Sequence, residues 1–278
     1  MTQTLKYDLH SHSHYSDGDL SPSELVEKAA DSAITHLALT DHDTVDGLPE
    51  AKAAANKRGI NLIDGVELSC TWENRLVHVV GLNVNPTDKN LIALIKDNKQ
   101  RRLARAESMF QDLEQHDINV RDGVRNALGG RGVPTRPHFA QALVEQGFAK
   151  DKKQAFKRFL VRGKPGYIPM LWPDLNDIGK AIVSAGGVGV LAHPMRYKLT
   201  RTKLSWLIKD MVAAGIRGME ICTASTDKQQ VAMLSDLATK FNLLSSMGSD
   251  FHSPSQPWAQ LGRVEPLPSS LTPVWDTF

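Results

Sequence analysis

The chain has 278 residues, of which 41% are hydrophobic and 23% charged, an ordinary composition for a globular protein and enough length to bury a large core. No apolar run approaches the ~20 residues a membrane span needs. The first twenty residues also lack a signal peptide's basic start and apolar core, so a cytoplasmic protein without membrane contacts is expected. Two cysteines, Cys70 and Cys222, lie far apart without CxxC spacing, which argues against a disulfide framework or a thiolate zinc site. The net charge of +2 hides an asymmetry: residues 86 to 165 hold 17 Lys or Arg against 9 Asp or Glu, and the remainder holds 16 against 22. A basic segment beside an acidic one points to an anionic substrate.

In chain order, apolar Leu5 to Leu9 predicts a first strand. Ser21-Pro22-Ser23-Glu24 reads as a capping box with proline at the first helical position, opening a helix through Ala33. Ile34 to Thr40 predicts strand two, an alanine-rich helix from Pro49 stops at Gly59, and Ile60 to Glu67 predicts strand three. A turn at Glu73-Asn74 leads to strand four, Arg75 to Val84. From Pro86 to about Lys164 the β signal vanishes, leaving helical patterns over Asn90 to Gln115, Arg121 to Leu128, Arg136 to Gln146 and Asp151 to Leu160. Glycines and prolines punctuate this stretch.

The alternation then resumes with a helix over Asp174 to Ala185 and strand five over Val188 to Ala192. A helix over Lys203 to Ala214 precedes strand six, Ile216 to Ile221. A helix over Asp227 to Phe241 precedes strand seven, Leu243 to Met247. Seven strands in a βα series predict an α/β fold: a parallel barrel with distorted closure, interrupted by a helical insertion. The expected division is a barrel from residues 1–85 and 166–278, with a basic helical insertion over 86–165. A flat doubly wound sheet is the competing architecture, but no GxGxxG follows a strand. The proline-rich tail from Ser253 to Phe278 is expected to lack regular structure.

His10 and His12 are two residues apart, so an extended strand projects both imidazoles to one side. Other candidate ligands recur at predicted strand ends: His42 in TDHD, Glu67 in GVELS, His193 in AHP, and Asp250 and His252 in SDFH. His78 lies inside strand four, and Asp17 lies in the loop after strand one. In a βα barrel the loops after the strands converge on one face, so these nine nitrogen and oxygen donors would meet at one point. Nine donors exceed what one ion uses, so two or three divalent ions are expected; manganese, iron and zinc all suit this donor set. Closely spaced ions suit phosphoester hydrolysis, because they generate hydroxide at neutral pH and neutralise phosphoryl charge. Arg136 and His138 at a helix start, and Arg196 just after His193, are the candidate phosphate-binding groups. Glu220 is read equally well as a rim carboxylate or a structural ion pair, and Arg101, Arg102 and Arg105 as solvated helix faces.

The ordered set HSH, TDHD, GVELS, His78, AHP and SDFH resembles the PHP family, the polymerase and histidinol phosphatase metallohydrolases. The resemblance spans residues 8 to 252 and implies a distorted (βα)7 barrel with a trinuclear centre. It implies that His10, His12, Glu67 and Asp250 hold one ion, and that Glu67 bridges to a second held with His78 and His193. Asp17, His42 and His252 would hold a third, with Asp17 standing where some relatives have histidine. Glu67, His193 and Asp250 would form the catalytic core, with a metal-bound water or a nearby acid such as Asp250 managing the proton. Manganese is the favoured metal.

The helical insertion and the TRPH segment are similar to one branch, the nucleoside 3′,5′-bisphosphate phosphatases and RNase AM exoribonucleases. That branch implies substrates that are 5′-phosphorylated nucleotides or short RNA or DNA, cleaved on the 3′ side. The insertion would cover the cleft and grip the 5′ phosphate. An amidohydrolase and a non-catalytic, metal-stabilised RNA-binding module are the alternatives. The first commonly needs a strand-end lysine that is not found here, and the second would favour a stacking aromatic cluster. Oligomeric state is left open by the sequence.

Overall fold

The computed structural model describes residues 5–130 and 132–278. Tyr7–Asp8 forms β1 and His36–Leu39 forms β2, paired in parallel with Tyr7 opposite His36. Helix α1, Pro22–Asp31, starts as the sequence predicts: the Ser21 side chain accepts the Glu24 N–H, and the Glu24 carboxylate accepts the Ser21 N–H. Helix α2, Leu48–Arg58, ends at Gly59, whose φ of 68° makes the left-handed cap. Leu25, Val26, Ala51 and Ala55 on the two helices pack with Leu37 and Leu39 of β2.

β3, Asn61–Trp72, and β4, Arg75–Leu82, depart from the expected all-parallel series: β4 runs antiparallel to β3 and also to β5, Val188–Leu191. The cause is local. Glu73 and Asn74 have φ of 45° and 59°, the two left-handed positions of a tight hairpin turn. A two-residue link reverses the chain, whereas a parallel neighbour needs a crossover of roughly a dozen residues. Hairpin pairing also carries β3 beyond its expected end at Glu67, with Ser69 opposite His78 and Trp72 opposite Arg75.

Between β4 and β5 lie α3 (Lys89–Glu114), α4 (Arg121–Leu128), α5 (Arg136–Glu145) and α6 (Lys152–Ala155), the last continuing as a π-helical turn over Phe156–Leu160. Helix α3 serves two cores. Leu91 and Ile95 near its start pack with Ile178 and Ile182 of α7, Leu175–Ser184. From Ala106 onward it contributes Met109 and Leu113 to a separate cluster with Phe139, Leu143 and Leu160. A single rigid helix therefore carries the helical segment on the barrel.

Helix α8 (Arg201–Ala213), β6 (Gly218–Thr223), α9 (Lys228–Phe241) and β7 (Leu244–Gly248) complete the series, with β5, β6 and β7 parallel. Strand order follows chain order from β1 to β7, without the switch point of a doubly wound sheet. The ends nearly close: the Leu9 N–H donates to the Met247 carbonyl at 3.0 Å, and the Asp250 N–H donates to the His10 carbonyl at 2.9 Å. This is a distorted seven-stranded α/β barrel. The tail is mostly irregular as expected, though Ser245 bridges Pro273 and a short 3₁₀ turn forms over Val274–Thr277. Trp275 stacks on Tyr7 with ring centroids 4.0 Å apart, covering the start of β1. Among the described residues no helix is long and apolar enough to cross a membrane.

Candidate metal centre

The segment after β1 remains extended, so His10 and His12 alternate with Ser11 and Ser13. The serines anchor it: Ser11 Oγ donates to the Ala38 carbonyl at 2.7 Å, and Ser13 donates to Asp41 from its N–H at 2.8 Å and its Oγ at 2.6 Å. The imidazoles are thereby turned inward. Gly248 permits their approach, since a β-carbon there would overlap the backbone nitrogen and Cβ of His10.

Four donor atoms converge beside this segment. His10 Nε2 and His12 Nε2 are 3.1 Å apart, and each lies 3.3 Å from Glu67 Oε2; they lie 3.3 and 3.2 Å from Asp250 Oδ1. These separations approach the ~3.4 Å edge of a tetrahedron with ligand bonds of ~2.1 Å. The other oxygen of Glu67 faces His78 Nδ1 at 3.0 Å and His193 Nε2 at 3.1 Å. Asp17 Oδ1 lies 3.4 Å from His252 Nε2 and 3.9 Å from His42 Nε2. All nine predicted donors are thus brought to one place, in overlapping groups around Glu67 and Asp17.

The donors fit cations better than they fit one another. His42 Nδ1 and Glu67 Oε2 are buried and 2.9 Å apart, yet neither makes a hydrogen bond. The donor set is imidazole and carboxylate without thiolate, which suits manganese, iron or zinc. Lysine is absent from the residues lining the opening over the cluster.

The charges are strongly coupled. Burial favours the neutral carboxyl of Glu67, but His42, His78 and His10 overcome it and hold that group well below the usual carboxylate range. Asp17 is likewise held low by His42 and His252, and Asp250 by His10, His252 and Arg196, against burial. Burial lowers His252, but Asp17 and Asp250 more than offset it and push the imidazole up to about 9. Burial, then the neighbouring His252, pushes His12 down to about 3.

Three carboxylates outside the predicted ligand set orient it. Glu220 accepts from His10 Nδ1 at 2.7 Å and from the His193 N–H at 2.5 Å, so it belongs to the site; its place near the end of predicted strand six was the available signal, although β6 itself runs on to Thr223. Asp41 ties the β1 loop to the β2 loop through Ser13 and Ser16. Asp43 accepts from Ser69, from Asn98 Nδ2 at 2.6 Å and from Arg102 Nε at 2.7 Å. Arg102 is therefore not a solvated helix charge: it is 8% exposed and lies over Trp172. Asp43, His193 and Asp250 all have positive φ, a conformation that costs backbone energy and is held here by the surrounding contacts.

The three candidate phosphate-binding residues are spread around the cluster. Arg196 ion-pairs with Asp250. Arg136 lines the opening over His42 and His78. His138 is buried and lines a neighbouring groove with His14, Asp17 and Lys152, its Nδ1 accepting the Thr135 N–H at 3.1 Å.

A barrel with a cluster of imidazole and carboxylate donors of this kind defines a metal-dependent hydrolase. The PHP domain model matches residues 8–160, and the chain belongs to that family. It is 43% identical to a 5′-3′ exoribonuclease of Haemophilus influenzae, over 99% of this chain and 100% of that one. It is 41% identical to a 3′,5′-nucleoside bisphosphate phosphatase of Chromobacterium violaceum, over 96% and 94%. The solved structure of an amidohydrolase from Chromobacterium violaceum, with bound sulfate and no metal, superimposes with a TM-score of 0.93 at 41% identity, covering 98% of this chain and 95% of that one.

Proposed function

We propose that this protein, a metal-dependent phosphoester hydrolase, cleaves the ester on the 3′ side of 5′-phosphorylated nucleotides. It acts as a 5′-to-3′ exoribonuclease on RNA ends and short oligonucleotides, or as a nucleoside 3′,5′-bisphosphate phosphatase. The observation that carries this reading is the convergence of nine imidazole and carboxylate donors beside the arginines that line the opening over them. His10, His12, Glu67 and Asp250 would hold one ion, Glu67, His78 and His193 a second, and Asp17, His42 and His252 a third. Bound divalent ions, manganese foremost, supply Lewis acidity and a nucleophile at neutral pH.

The chain's own groups do the rest. Glu220 fixes which nitrogen His10 presents, because its carboxylate accepts a hydrogen bond from Nδ1–H and leaves Nε2 free for a metal ion. Arg196 holds the Asp250 carboxylate from one side and places a guanidinium beside the reacting phosphoryl group. Asp250 accepts or returns the proton. The neutral His138 ring, with Nδ1 already accepting, carries its proton on Nε2 as a donor for substrate. Arg136 binds the 5′ phosphate, and the helical segment over 86–165 covers the cleft. Nucleotide substrates and two free, buried cysteines are consistent with work in the cytoplasm.

The test compares turnover of adenosine 3′,5′-bisphosphate with that of 5′-phosphorylated and 5′-hydroxyl trinucleotides after manganese loading, alongside metal content by plasma emission. Strong preference for 5′-phosphorylated forms, with two or more ions per chain, is expected. Under one ion per chain and no hydrolysis after reconstitution would refute the reading.

A further inference from the structure

Helix α5 turns two faces to its surroundings. Phe139, Ala140, Ala142 and Leu143 are buried in the cluster shared with α3, whereas Pro137, His138, Gln141, Val144 and Glu145, recurring three and four positions apart, line a groove of about 570 Å³. Asn126 and Leu128 of α4 supply a second wall, and Lys152 at the start of α6 also borders the space. The groove opens on the metal donors, because Asp17 and Pro137 line both it and the small cleft over His42 and His78. Arg136, one residue earlier, lines the cleft and not the groove. A strand that passes from Arg136 across the donors therefore continues here.

The lining tells what the groove can hold. Its carboxylates are already engaged: Asp17 belongs to the donor cluster, Asp19 accepts the Ser253 hydroxyl, and Glu145 accepts from Gln141 Nε2 at 2.8 Å. Lys152 is exposed and is the one lysine or arginine among the described lining residues. What remains is two neutral amides, Asn126 and Gln141, beside apolar Leu128 and Val144. This mixture suits a nucleoside, whose ribose hydroxyls and base edge pair with amides while its rings pack on the apolar wall. A single cation serves one flanking phosphate.

Hydrolysis on the 3′ side of a 5′-phosphorylated nucleotide meets phosphorus in one of two settings. In a bisphosphate it is a monoester and carries nothing further. In RNA it also carries the 5′ oxygen of the next nucleoside, which needs room. The oxygen of water bonds to phosphorus, and the bond to the 3′ oxygen breaks with its electron pair on that oxygen. One proton of the water ends there and the other passes to Asp250 or solvent, while the downstream strand keeps the phosphorus as its new 5′ phosphate.

We propose that the groove between α4 and α5 holds the first nucleoside downstream of the scissile phosphate, with Gln141 and Lys152 as specificity-determining residues. The site is thus built for a diester strand, and the bisphosphate is a truncated substrate that leaves the groove unused. This rests on the phosphoesterase reading and narrows it to RNA. The volume fits one nucleoside, so selection for a strand is complete at the dinucleotide.

The test compares kcat/KM for 5′-phosphorylated RNA di- and trinucleotides with that for adenosine 3′,5′-bisphosphate, in the manganese-loaded full chain and in Gln141→Ala, Gln141→Trp and Lys152→Glu. Binding of the trinucleotide to the metal-free chain gives a readout without turnover, and thermal melts confirm folding. Gln141→Trp, which fills the groove, should lower the oligonucleotide values by roughly tenfold or more. Gln141→Ala and Lys152→Glu should lower them by about 3- to 10-fold, the range for a lost hydrogen bond. Bisphosphate hydrolysis should be spared, trinucleotide binding should weaken in parallel, and the loss should be no larger for the trinucleotide than for the dinucleotide. Lys152→Glu, at an exposed position, carries the test if Gln141→Trp does not fold. Equal losses on both kinds of substrate, or none on either, overturn the groove assignment. Absent hydrolysis of both by the loaded unsubstituted chain, with trinucleotide binding still weakened by folded variants, overturns the phosphoesterase reading and leaves the groove standing.

Discussion

Glu67 shows how much one side chain is asked to do, with one carboxylate oxygen facing His10, His12 and His42 and the other facing His78 and His193. Such a group works only if its neighbours are aimed. Removing the charge that aims His10, by Glu220→Gln, should weaken metal binding about 10- to 100-fold with little change in folding, measured by metal titration and thermal melting. Gly248→Ala should be harsher, because the added methyl overlaps His10 itself; loss of an ion per chain and of hydrolysis together would show it. Protons also compete with cations here. His252, pushed up to about 9 by Asp17 and Asp250, carries a proton at neutral pH that must leave before it can ligate. Metal affinity should therefore fall as pH falls. Loading should release protons, seen as calorimetric heats that scale with the buffer's ionisation enthalpy.

At the scale of elements, the junction between α3 and the β2 loop stands out, because the buried Arg102–Asp43 pair joins them on the residue next to His42. Deleting one partner strands the other charge in the interior. Arg102→Ala should cost about 3–5 kcal/mol by urea denaturation and lower metal occupancy through His42. A loss below ~1 kcal/mol would place the pair with ordinary surface bridges instead. This junction was illegible in the sequence, since Arg102 and Asp43 are 59 positions apart and an amphipathic helix presents arginines to water by default. The hairpin was half legible. Glu73-Asn74 is recognisable as a turn, but only its left-handed geometry makes β4 antiparallel and sets His78 opposite Ser69. Caps were fully legible, because the box at Ser21 and Glu24 and the stop at Gly59 depend on neighbours a few residues away.

Across the whole molecule, the barrel brings together donors from His10 to His252, and bound ions would therefore staple distant chain segments. A ligand that binds only the folded state stabilises it by about 2.7 kcal/mol at a hundredfold excess over Kd. Chelation should thus lower Tm, and manganese should restore both Tm and hydrolysis. A melting temperature indifferent to chelator and metal would contradict a centre that links both ends of the chain.

What the sequence determined by itself was whatever local chemistry writes in short range: the periodicities, the caps, the βα rhythm, and donors standing repeatedly at strand ends. From these the barrel and all nine candidate ligands were readable. Tertiary structure alone decided the direction of β4, the pairing of Arg102 with Asp43, and the hold of Glu220 on His10 and His193. The reason is physical. A side chain's partner, and hence its charge and burial, is set by which distant segments the closed barrel brings within a few ångströms, and residue spacing along the chain carries no record of that distance.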